Sequence, residues 1–157
     1  MKQKVYLETS IISYYTARPS RDLVIAAWQE ITREIWPMLQ DKFDIYISAL
    51  VIQEASRGDK EAAKKRLSAI SEFTVLEITP QVQEVAAFLI AQNAIPAEAE
   101  EDALHIAVAS LNGMEFLLTW NFSHINNAFK KSNIIRSIEN QGFISPEICS
   151  PEEFIGD

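Results

Sequence analysis

Glu8, Glu54, Asp102 and Asn121 are the residues of this chain whose types and placement suggest shared chemistry. Glu8 sits in "VYLETSI", directly after the strand formers Val5, Tyr6 and Leu7 and before Thr9 and Ser10, which can open a turn or cap a helix. Crevices at the carboxyl ends of strands are where open α/β sheets bind ligands. Carboxylates gathered there repel one another, and the repulsion is costly unless they are protonated or share a cation. An oxygen-only set of this kind suits Mg²⁺ or Mn²⁺, which keep some of their waters for chemistry.

The elements that must position these residues alternate along the chain. Strands are expected over Lys4–Leu7, "FDIYIS", "FTVLEIT" and "EFLLTW", with a short edge strand in the Pro-punctuated tail "SPEICSPEEFIGD". Helices are expected from Asp22 to Pro37, over "ALVIQEASRG" up to Gly58, and over "GDKEAAKKRLSAI". Pro80 opens another helix to Asn93, and Pro96 opens "AEAEEDALHIAVASLNG". A basic helix runs through "NNAFKKSNIIRSIENQG". Such alternation predicts an α/β fold with a mainly parallel sheet of four or five strands, covered on both faces. On that frame Glu8 ends strand 1, Glu54 enters the helix after strand 2, Asp102 lies early in the Pro96 helix, and Asn121 follows strand 4. Glu98, one turn before Asp102, is a reserve acid on the same helix face.

Composition narrows the alternatives. A length of 157 residues, 48% hydrophobic, predicts a single domain spanning 1–157 with a sizeable core. No apolar run approaches the ~20 residues of a membrane span, and a cytoplasmic location is expected. One cysteine and two histidines exclude a disulfide within the chain and a cysteine- or histidine-rich metal cage. The net charge of −8 argues against a broad nucleic-acid surface but allows a local basic strip. Lys64 and Lys65 in "KEAAKKRL", and Lys130 and Lys131 in "FKKSNIIR", are candidates to hold phosphate at the crevice rim. Four glycines and no Gly-rich loop after a strand speak against a phosphate-cradling small-molecule enzyme.

Each residue also has a plainer reading. Glu8 alone is a strand-end capping acid, Glu54 a surface helix acid, Asp102 a first-turn acid favoured by the helix dipole, and Asn121 a turn residue. Both lysine runs are solvated helix faces in the plain reading. His105, one turn beyond Asp102, is read as a hydrogen-bonded packing histidine in preference to a substrate contact, and His124 as a residue that caps or packs at the last turn. Trp120 is read as partly buried beside strand 4, and Tyr14, Tyr15, Trp28 and Trp36 as core or dimer interface.

The segments "YLETSI", "ISALVIQEASRG", "EEDALHIAVA" and "LLTWNFSHI", with "SPEEFI" at the tail, resemble in order the motifs of PIN-domain nucleases, particularly VapC-type toxins. The resemblance implies a PIN-like three-layer sandwich and an endoribonuclease dependent on Mg²⁺ or Mn²⁺, dimeric and held inactive by a cognate antitoxin. Position by position it implies Glu8, Glu54, Asp102 and Asn121 as catalytic and metal-binding residues, with Thr119 supporting by a hydrogen bond. For the chemistry of such a site Asp102 is the candidate principal ligand, with Glu8 beside it. The implied reaction is phosphodiester hydrolysis in RNA. The first motif usually carries Asp and the last an acid, so Glu8 and Asn121 depart from the pattern. An alternative expectation is therefore a catalytically weakened PIN-fold module that binds RNA or protein.

Overall fold

The computed structural model describes residues 1–156. Its centre is a parallel sheet of five strands: β1 (Gln3–Leu7), β2 (Phe43–Ser48), β3 (Thr74–Leu76), β4 (Phe116–Leu118) and β5 (Glu147–Cys149). The order across the sheet is β3-β2-β1-β4-β5, with Val5 facing Ile45 on one side and Phe116 on the other. The chain leaves β1 toward β2 and β3, then crosses to β4 and β5. The reversal falls beside β1, and the crevice outside its carboxyl end is the switch point of the sheet.

Seven helices flank the sheet among the described residues: α1 (Thr9–Thr16), α2 (Leu23–Lys42), α3 (Ala49–Ala55), α4 (Lys60–Ala69), α5 (Pro80–Ala91), α6 (Glu100–Leu111) and α7 (Lys131–Asn140). Right-handed crossovers assign α1–α4 to one face and α5–α7 to the other. The packing agrees, with α1 against α2 and α4, and α5 against α6 and α7. Val5, Tyr6, Leu7, Ile47, Leu117 and Leu118 are buried between these layers. Burial on both faces explains the unbroken apolar run Val5–Leu7 of β1, whereas β2 alternates, with Ile45 and Ile47 buried and Asp44 exposed.

Several boundaries differ from the sequence expectation for physical reasons. Thr9 and Ser10 do not make a turn but begin α1, whose Ile11 and Ile12 are fully buried. The helix after Asp22 does not stop at Pro37 and runs on to Lys42. Pro37 is exposed while Trp36 and Leu39 are buried, so packing on the core side outweighs the missing N–H. The Pro96 segment is not one helix. Ala97–Ala99 form a separate 3₁₀ turn, and Ala99 at φ −108°, ψ 40° breaks it from α6. Glu98 is therefore not on the face of α6 that carries Asp102. The basic helix starts at Lys131 rather than Asn126, because Asn127 uses its side chain to hold Phe129 N–H and the Phe122 carbonyl in a turn. At the far end of α6, Gly113 adopts φ +68°, and Met114 N–H returns to the Ala109 carbonyl at 3.1 Å. This closing motif turns the chain into β4.

Candidate active site

Glu8 occupies the N-cap position of α1 without using its side chain to cap it. Its carboxylate, 6% exposed, instead accepts two hydroxyls on Oε1: Ser10 Oγ at 2.5 Å and Thr119 Oγ1 at 2.6 Å. Each hydroxyl is itself fixed by a backbone N–H from the exit of β4. Trp120 N–H donates to Ser10 Oγ and Asn121 N–H donates to Thr119 Oγ1, both at 2.9 Å. Each hydroxyl accepts one backbone N–H and donates its proton to the acid. Thr119 thus links the exit of β4 to the acid at the end of β1.

Glu54 comes from α3, whose start is capped by Ser48 at the end of β2. Its Oε1 accepts Thr9 Oγ1 at 2.5 Å and His105 Nε2 at 2.6 Å. Burial alone would raise its pKa. The hydrogen bond and charge of His105, the Thr9 hydroxyl and Arg57 more than offset burial, so the carboxyl is held below its ordinary range. His105 is fully buried, and its Nδ1 meets the Tyr6 hydroxyl at 2.7 Å. That hydroxyl also contacts Ser48 Oγ at 2.8 Å. Burial opposes a charged imidazole, but the Glu54 hydrogen bond and the Glu8, Glu54 and Asp102 charges raise the His105 pKa on balance.

Asp102, in the first turn of α6, is hydrogen-bonded through Oδ2 to His124 Nδ1 at 2.9 Å. Asn121 builds the turn that carries His124: its Oδ1 accepts the backbone N–H groups of Ser123 and His124 at 3.1 and 3.0 Å. With the side-chain oxygen so committed, its amide nitrogen offers only donors. A cavity of about 420 Å³ joins Glu54, Glu98, Glu100, Glu101, Asp102 and His124. The four sequence-selected positions therefore lie around one end of the sheet, but in two groups. Glu8 and Glu54 share a hydroxyl-rich centre, whereas Asp102 and Asn121 meet through His124.

Lys64 and Lys65 line a different cavity, of about 660 Å³, with Tyr15, Arg33 and Glu61. Lys130 Nζ donates to the Ser123 carbonyl and Lys131 Nζ to Asn126 Oδ1, which holds both ammonium groups against the His124 turn. Trp120 is buried, with Nε1 donating to Thr32 Oγ1 at 2.8 Å and its ring stacked on Trp28.

Ligand atoms of Glu8, Glu54 and His105 lie within 4.8 Å of one another, the one such group of three among the described residues. Both nitrogens of His105 already have partners, so the donors facing a cation would be carboxylate oxygens. Each acid is oriented through Oε1, and Oε2 of each makes no hydrogen bond among the described residues. No buried side-chain oxygen there lacks a partner, so these free oxygens reach solvent. Two anchored carboxylates with outward oxygens and no Lys or Arg salt bridge fit a hard cation such as Mg²⁺ or Mn²⁺. Sequence reasoning left His105 and Tyr6 out of this centre. The usable signal was spacing, since His105 follows Asp102 by one helical turn.

The family model of the PIN domain matches residues 5–129, from β1 through the turn beyond Asn121. The chain belongs to the PIN domain family. Solved structures share the fold of this PIN domain over nearly its whole length. VapBC2 from Rickettsia felis, solved with a fragment of promoter DNA, has a TM-score of 0.59 at 15% identity, covering 94% of this chain and 98% of that one. VapC20 from Mycobacterium tuberculosis, described as a Sarcin-Ricin loop cleaving toxin, has a TM-score of 0.58 at 15% identity, covering 89% and 96%. No curated protein matches the chain by sequence.

Proposed function

We propose that this PIN domain is a metal-dependent endoribonuclease and the toxin of a toxin–antitoxin pair. The observation that carries the proposal is the Glu8–Glu54 centre, where two carboxylates converge, each anchored through one oxygen and free at the other, Glu8 by two hydroxyls and Glu54 by the Thr9 hydroxyl and the His105 imidazole. Bound Mg²⁺ or Mn²⁺ would neutralise the phosphodiester, lower the pKa of a water and stabilise the leaving oxygen. In this proposal Glu8 and Glu54 hold the cation, and Asp102 offers its second oxygen to the cation or its waters while orienting His124. Asn121 is the fourth site residue. Its oxygen would have to release two backbone bonds to ligate, so its first contribution is the turn that places His124.

Lys130 and Lys131 beside that turn, and Lys64 and Lys65 on α4, are proposed phosphate contacts along the RNA. Glu98, exposed on the rim of the shared cavity, is a reserve ligand. The likeness to VapBC2 supports a cognate antitoxin partner; a homodimer and a cytoplasmic setting are further parts of the same proposal. No helix among the described residues is long and apolar enough to cross a membrane. The segment after residue 129 belongs to the same domain in this reading, because β5 pairs with β4.

The test is cleavage of single-stranded RNA by purified protein. Cleavage should stop with EDTA, return with Mn²⁺ and be lost in Glu54→Gln. Cleavage that persists in EDTA contradicts metal dependence. The neutral, already bonded Asn121 favours a second reading, a binding module with weakened catalysis. Tight RNA binding without cleavage in Mn²⁺ would select it.

A further inference from the structure

We propose that His105, held in place by Tyr6, is a positioning residue that aims Glu54 at the cation, an inference that rests on the metal centre proposed above. Two neighbouring strands and two helices converge on this one carboxylate. Tyr6 lies on β1, Ser48 ends β2, His105 is on α6 and Glu54 is on α3. The contacts run Ser48 Oγ to Tyr6 Oη at 2.8 Å, Tyr6 Oη to His105 Nδ1 at 2.7 Å, and His105 Nε2 to Glu54 Oε1 at 2.6 Å. Tyr6, Ser48 and His105 have no exposed surface.

The direction of the last bond follows from its acceptor. An ionised carboxylate can only accept, so Nε2 carries the hydrogen and Nδ1 faces the phenol. A role for His105 as a ligand would sacrifice one of two short bonds inside a sealed site, at the full desolvation cost of the group left unpaired. A packing role alone would need partners for the ring but not an acid of the metal centre. The imidazole N–H and the Thr9 hydroxyl both land on Oε1 of Glu54. They fix the carboxylate plane and leave Oε2 as the oxygen presented outward. Partners of this kind, one shell behind a ligand, set metal affinity by orienting the acid.

The test is Mn²⁺ titration of the full chain, read by the electron paramagnetic resonance of free Mn²⁺, with melting in EDTA as the fold control. His105→Leu fills volume without a donor and should weaken Mn²⁺ binding about 10- to 100-fold. His105→Gln can place an N–H where Nε2 lies and should restore affinity to within about threefold of wild type. Tyr6→Phe keeps the core filled but frees the imidazole, and should weaken binding about 3- to 10-fold even if His105→Leu fails to fold. Wild-type affinity in His105→Leu or Tyr6→Phe, alongside lost binding in Glu54→Gln, overturns the positioning role and leaves the metal centre standing. Equal losses in His105→Gln and His105→Leu at equal melting temperature overturn it as well. A wild type that binds no Mn²⁺ removes both the metal centre and the role built on it.

Discussion

Thr119 Oγ1 donates to Glu8 Oε1 at 2.6 Å, joining the exits of two neighbouring strands across 111 positions of sequence. The same hydroxyl accepts the Asn121 N–H, so one fully buried oxygen fixes both the acid and the turn after β4. Thr119→Val keeps the shape and deletes both bonds. It should cost about 1–3 kcal/mol in urea unfolding measured in EDTA, with weaker Mn²⁺ binding besides. Thr119→Ser loses only a methyl group, roughly 1 kcal/mol, and should retain metal affinity. Wild-type Mn²⁺ affinity in Thr119→Val would show that Ser10 alone orients Glu8.

The lysines make separable predictions because the structure puts them in two places. Each phosphate contact to single-stranded RNA contributes about 0.7 to the slope of log affinity against log salt. Replacing Lys130 and Lys131 by Ala should reduce that slope by about 1.4, and replacing Lys64 and Lys65 should do the same if RNA crosses both regions. Metal affinity should not change in either variant. A slope unmoved by both double variants would mean that the RNA path avoids these ammonium groups.

Cys149 yields the pH dependence. Burial in β5, followed by the charges of Glu153 and Glu147, pushes its thiol up to about 12. The unfolded thiol ionises near 8.5, so between those values the unfolded state loses a proton that the folded state keeps. Stability is therefore unaffected below about pH 8.5 and declines as pH rises through that window. In urea unfolding from about pH 7 to about pH 10.5, wild type should lose stability more steeply than Cys149→Ala. Parallel curves would mean that the thiol ionises as easily folded as unfolded.

Much of this architecture was legible because its signals are local. The apolar run "VYL" marks a strand buried on both faces, the alternation of Phe43, Ile45 and Ile47 in "FDIYIS" marks its neighbour, and Pro80 and Gly113 punctuate helices by fixed backbone geometry. Glu8, Glu54, Asp102 and Asn121 could be placed at one end of the sheet because parallel connections return every strand exit to the same edge. What the sequence hid is set by packing across elements. Pro37 reads as a stop, yet it sits on the exposed side of a helix whose other side holds Trp36 and Leu39. Glu98 and Asp102 read as one helix face until the backbone of Ala99 separates them. His105 reads as an ordinary packing histidine, and it is indeed buried and fully bonded. Only the meeting of α3 and α6 shows that one of its partners is Glu54.

The central claim, that Glu8 and Glu54 hold a cation, is tested most directly by anomalous scattering from crystals soaked in Mn²⁺. A peak is expected between the two carboxylates, within about 2.2 Å of an oxygen of each, as hard six-coordinate cations require. Soaked Glu54→Gln crystals should lose it. No peak at saturating Mn²⁺, or a peak confined to Glu98, Glu100 and Glu101 on the cavity rim, would contradict the proposed centre.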